Sequence, residues 1–97
     1  MKLSALETDY PWCSVASDPP SDPTSDAAYQ AFMAGDHTPT ATDWYTATWR
    51  TVGSLYQVGV LVGPGGLVLP VGTYTVWVKV ESTPTVVARP AGTLTIY

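Results

Sequence analysis

The sequence predicts an all-β sandwich, and three observations carry that prediction. Strict two-residue alternation recurs along the chain. It is clearest at 73–80, "TYTVWVKV", where Tyr74, Val76, Val78 and Val80 fall on one side and Thr73, Thr75, Trp77 and Lys79 on the other. Nine prolines and eight glycines punctuate the chain at roughly even spacing, ending periodic segments and setting turns. Threonine and valine fill the intervals, and both suit a pleated surface.

The elements follow in order. The first ten residues, "MKLSALETDY", precede the first convincing strand. They read as an extended N-terminal arm (1–10), with Leu3, Leu6 and Tyr10 as the groups it would lay on a neighbour. The sandwich domain occupies 11–97. Its first strand is "PWCSVAS" (11–17), and "DPPSDPTSD" (18–26) is a proline-laced bend. "SDAAYQAFMAG" (25–35) is the best helix candidate, since Ser25 and Asp26 are capping residues. Its alternation of Ala28, Gln30 and Phe32 against Ala27, Tyr29, Ala31 and Met33 decides for a strand.

"DWYTATWR" (43–50) sets Trp44, Thr46 and Thr48 against Tyr45, Ala47 and Trp49, and "TVGS" then makes a hairpin-type turn. "LYQVGVLVG" (55–63) is the next strand, and "GPGG" (63–66) turns the chain into the strand at 73–80. A turn at "ESTPT" (81–85) leads to "VVARPAGTLTIY" (86–97), a pair of short strands or one bulged strand. About seven strands result, the pattern of an immunoglobulin-like Greek-key sandwich. "LPVGTY" sharpens it. Tyr74, following the bend at Gly72, stands where such sandwiches place a tyrosine corner: ring inward, hydroxyl bonded to backbone a few residues upstream.

Composition bounds the function. The chain of 97 residues suits one domain, and with 45% hydrophobic and 12% charged residues it is too apolar for a disordered tail. The net charge is −4, and Lys2, Arg50, Lys79 and Arg89 are scattered. Phosphate binding needs clustered cations, so nucleic acid is not an expected partner. The N-terminal residues lack the apolar run of a secretory signal. The most apolar stretch, "VGVLVGPGGLVLPVG", is broken by "GPGG" and Pro70 and reads as strands rather than a membrane helix. The expectation is a soluble protein made in a cytoplasm, with no membrane partner.

Catalytic candidates are few. Cys13, the one cysteine, allows no intrachain disulfide. Cys13 and His37 are residue types that make a nucleophile and base. Nothing sets their spacing, and the plain reading is a buried cysteine and a loop histidine. Asp18, Asp22 and Asp26 recur every four residues, but prolines separate them and the ligand alternation of a calcium loop is absent. "GPGG" lacks the Lys-Ser/Thr of a phosphate loop. The expectation is a non-enzyme without metal or cofactor.

Aromatic residues are abundant: four Trp, six Tyr and one Phe. Trp77 shares its side of the strand with threonines and a lysine, which points to contact with something. That something is an end segment of the same chain, another subunit, or the chain's own loops. Trp44, Trp49 and Trp77 are the candidate interface residues, and a sugar-stacking platform is the alternative use for them.

"DPTSDAAYQAFMAG", "DWYTATW", "LVGPGGLVLPVGTYTVWVKV" and "AGTLTI" occur in this order. Together they resemble small immunoglobulin-like structural proteins encoded in the virion gene blocks of tailed phages, especially phages of actinobacteria. The resemblance covers roughly 22–97. The chain departs from it at "STPTVV", where a Pro-Glu-X-Pro-like turn is expected before the last strand. The resemblance implies a non-enzymatic virion component, present in many copies, that decorates a capsid, sits at the head-to-tail joint, or ornaments a tail or baseplate. Its partners would be capsid, connector or tail proteins and copies of itself. It would be located in the virion after synthesis in the host cytoplasm. A carbohydrate-binding module contacting the host surface remains the alternative.

Overall fold

The alternation at 73–80 forms the strand it predicts. A computed structural model describes residues 1–15, 23–35, 37–82 and 85–97. Among the described residues there are eight strands: β1 (Lys2–Leu3), β2 (Cys13–Val15), β3 (Ala27–Ala34), β4 (Tyr45–Thr46), β5 (Thr48–Val52), β6 (Leu55–Gly59), β7 (Gly72–Ser82) and β8 (Thr85–Ile96). One 3-10 turn, Pro23–Ser25, precedes β3. The strands form two sheets, ordered β1-β8-β7-β3-β4 and β2-β6-β5. The protein is therefore an all-β sandwich. In immunoglobulin terms β8, β7 and β3 take the places of strands G, F and C, β4 that of C′, and β2, β6 and β5 those of B, E and D.

The segment at 25–35 resolves in favour of its two-residue period. After the short turn, Asp26 N–H bonds to Pro23 O and β3 begins. Its register places Ala28, Gln30 and Phe32 opposite Val80, Val78 and Val76 of β7. These residues face the second sheet. Leu3, Val62, Val76, Leu94 and Ile96 form the core, with Cys13, Phe32, Leu69 and Tyr74 packed against it. Each fully buried aliphatic side chain of this kind contributes about 1.5–3 kcal/mol.

The stretch at 43–50 is two strands, not one. Tyr45–Thr46 pairs with β3, and Thr48–Val52 pairs with β6. Ala47 lies between, its N–H on Ala28 O. The chain thus passes from one sheet to the other within a single extended run. The following hairpin turns on Gly53 and Ser54, between the paired residues Val52 and Leu55. β6 ends at Gly59, and bridges from Val62 to Asp9 and to Leu67 hold the next loop. Gly63 in that loop has φ +118°, and any Cβ there would strike the Glu7 carbonyl oxygen. Glycine is therefore required.

Of the two forms open for the last segment, the single bulged strand is found. Val76 pairs with Gly92 and Trp77 with Pro90, which leaves Ala91 as the extra residue. The flanks of the turn at 81–85 pair through Ser82 and Thr85. Its tip lies outside the described residues, as does most of the bend at 18–26.

The N-terminal residues do not form a free arm. β1 runs parallel to the end of β8, pairing Lys2 with Thr95 and Leu3 with Ile96. Leu3 is 3% exposed. Thr8 Oγ1 donates to Pro64 O at 2.7 Å, and Asp9 bridges Val62. The physical reason is the core itself: Leu3 supplies one of its buried side chains, so residues 1–10 belong to the domain.

Candidate functional site

Gln30 is the first polar group to place. It is fully buried between the sheets. Its Nε2 donates to Pro11 O at 3.0 Å, with Cys13 Sγ at 3.3 Å and Val58 O at 3.4 Å, and its Oε1 accepts from Val60 N–H at 2.8 Å. An amide with both ends satisfied is a structural tie. Cys13 Sγ donates to Pro11 O at 3.5 Å. Burial pushes its thiol above the ordinary value, against the opposing effect of the Gln30 hydrogen bond. A raised thiol is a poor nucleophile. His37 is exposed in its loop, and the two share no interaction among the described residues. Nor do the described residues hold a cluster of three His, Cys, Asp or Glu. Asp18 and Asp22 of the calcium reading lie outside them.

Cys13 sits on β2, in the B position, and Val76 lies on β7 two residues past Tyr74. Those are the two places that carry the inter-sheet disulfide in antibody domains. Here a thiol and a valine line the same open cleft of about 190 Å³, together with Trp12, Ala91 and Gly92.

Trp77 and Trp44 belong to the outer face of the five-stranded sheet. Trp77 pairs with Ala31, which is fully buried although it faces away from the second sheet. Lys79 Nζ lies 4.7 Å from the Tyr29 ring and 4.8 Å from the Trp44 ring, with Glu81 Oε1 at 3.6 Å. Thr75 Oγ1 donates to Gly35 O, just past the end of β3. Trp77 is itself half-buried, and its Nε1 is buried without a hydrogen-bond partner among the described residues. The buried Nε1 means that the chain itself already covers part of the Trp77 indole, and the rest of the ring is open to a partner.

Two expected interface residues lie inside. Trp49 is opposite the fully buried Val58, and its Nε1 donates to Asp26 O at 2.9 Å. Alternation groups Trp49 with Tyr45 and does not say that this side faces the core. Leu3 is a core residue, as described above. Leu6 is 90% exposed. Tyr74 makes the predicted corner: its hydroxyl donates to Pro70 O at 2.6 Å, with Gly72 between them.

Tyr10 leads to a group the sequence did not single out. Its ring stacks on Trp12 with centroids 4.6 Å apart and planes 22° apart. The Arg50 guanidinium carbon lies 4.1 Å from the Trp12 ring centroid. Arg50 Nε donates to Gln57 Oε1 at 2.7 Å, and Gln57 Nε2 reaches Ser14 Oγ at 3.4 Å. Trp12 rests against Gly59, where a Cβ would come within 2.9 Å of Trp12 Cε3. The available signal was Gly59 itself: a glycine inside an alternating strand marks a close approach.

The far half of the β7–β8 hairpin is uncovered. Residues 85–93 are all exposed, with Val86 at 59% and Val87 at 43%. β1 pairs with β8 only at Thr95 and Ile96, so 85–92 form an open sheet edge among the described residues.

The fold and these surfaces define a β-sandwich of immunoglobulin connectivity with an exposed hairpin edge. No protein-family model matches the chain, and no curated protein or solved structure matches it.

Proposed function

We propose that this chain is a non-enzymatic structural component of a tailed-phage virion, a capsid accessory or head-to-tail joint protein that acts through protein contacts. The observation carrying the contact role is the hairpin edge: residues 85–93 are exposed, and Val86 and Val87 present apolar side chains on a strand whose outer edge at 85–92 no described strand pairs. An open edge in a small sandwich is a template for pairing. The virion assignment rests on the sequence resemblance over 22–97. A tail or baseplate ornament would use the same edge. The carbohydrate reading gains no shared platform, since Trp44 and Trp77 lie on one sheet's outer face and Trp49 lies between the sheets.

The test is capture of capsid, connector and tail proteins by the immobilised domain from disassembled tailed-phage particles. Capture by the wild type, lost in the Val86→Glu/Val87→Glu double variant with unchanged circular dichroism, supports the proposal. No capture, or capture indifferent to the variant, overturns it. Saturable tryptophan quenching by cell-wall glycans would put the carbohydrate module in its place.

A further inference from the structure

We propose that Arg50 is the recognition group of a second contact surface, one that seats a carboxylate side chain of a partner protein. Its guanidinium is held over Trp12 at 4.1 Å, and Nε is fastened to Gln57 at 2.7 Å. Gln57 is braced in turn by Ser14. The side chain is thus fixed from two directions, yet it is exposed and its terminal nitrogens make no hydrogen bond or ion pair among the described residues. What is left is a planar fork of donors, the geometry that takes a carboxylate through two parallel hydrogen bonds. The ordering cost of the long side chain is already met in the free protein. Tyr, Trp and Arg are also the residue types that dominate binding energy at protein interfaces.

Charge complementarity selects the occupant. The fork carries one positive charge with no ion pair among the described residues, on a chain of net charge −4. A polyanion such as nucleic acid would meet that field without the clustered cations it needs. A single carboxylate needs only the fork. A sugar acid would also want an open aromatic face, and Trp12 already carries Tyr10 and Arg50.

The proposal rests on the assembly reading only in making the carboxylate's owner a protein. The test therefore uses a free probe on the whole isolated chain. The Trp12 indole N–H resonance of ¹⁵N-labelled protein is followed while acetyl-Gly-Asp-Gly-amide is added at constant ionic strength, with acetyl-Gly-Asn-Gly-amide as control. A saturable shift with the Asp peptide, absent with the Asn peptide and lost in Arg50→Lys, is expected. Gln57→Ala, which frees the guanidinium, should weaken binding severalfold while leaving the fold intact. No saturable shift, an equal shift with the Asn peptide, or an undiminished shift in Arg50→Lys overturns the proposal. That failure leaves capture at the hairpin edge unaffected, and failure of the capture leaves the peptide shift unaffected.

Discussion

The Tyr74 hydroxyl donates to the carbonyl of Pro70, four residues back, at 2.6 Å. The bond joins the first turn of β7 to the loop that enters it and closes the end of the sandwich where Tyr74 packs on the core. Tyr74→Phe keeps the ring and removes only this bond. We expect a loss of about 1 kcal/mol, with the denaturant slope unchanged. Urea unfolding followed by tryptophan fluorescence measures it, and an unchanged midpoint would deny the corner any energetic role.

Cys13 and Val76 hold the two positions that the antibody sandwich joins covalently. Val76→Cys should therefore oxidise to a disulfide with Cys13. Closing so long a loop stabilises by about 4 kcal/mol in the chain-entropy account. Thiol titration before and after mild oxidation, with thermal unfolding in parallel, provides the check. Two free thiols after oxidation would mean that the strands hold these positions too far apart.

Gly59 makes room for Trp12. Gly59→Ala should push the indole away from the sheet at a cost of about 1–3 kcal/mol. It should also reduce the near-ultraviolet circular dichroism that stacked Tyr10 and Trp12 produce. Loss of stability without a spectral change would place the strain elsewhere.

Asp43 is held below the ordinary carboxylate range, first by the Thr40 backbone N–H and then by the Thr40 hydroxyl. A folded value below the unfolded one stabilises the protein above the unfolded value of 3.8 and is lost as pH falls through the folded one. The 40–43 turn should therefore loosen at acid pH beneath that value. Amide exchange at Thr40 reads it, and Asp43→Asn should remove the pH dependence there.

Local signals were legible and distant ones were not. The corner at Tyr74 and the β3 strand declare themselves within ten residues, because a bend, a tyrosine and an alternating run suffice. Alternation also sorts Trp44 from Trp49 correctly. It does not say which side is the interior, and so Trp49 was expected on the surface. The placement of Leu3 depends on pairing across nearly the whole chain, with Ile96. The Arg50–Trp12 contact joins strands from separate segments in the same way. No period within either segment encodes it.

β1 lies parallel to the end of β8, and backbone bonds tie the two end segments together, among them Met1 N to Thr93 O, Thr95 N to Met1 O, Tyr97 N to Leu3 O and Ala5 N to Tyr97 O. Tension applied between residues 1 and 97 would pull these neighbours in opposite directions along their length. The bonds then share the load in shear and must yield together rather than unzip one after another. The two ends of the chain form a mechanical clamp, and the rest of the sandwich bears no pull until the clamp gives way.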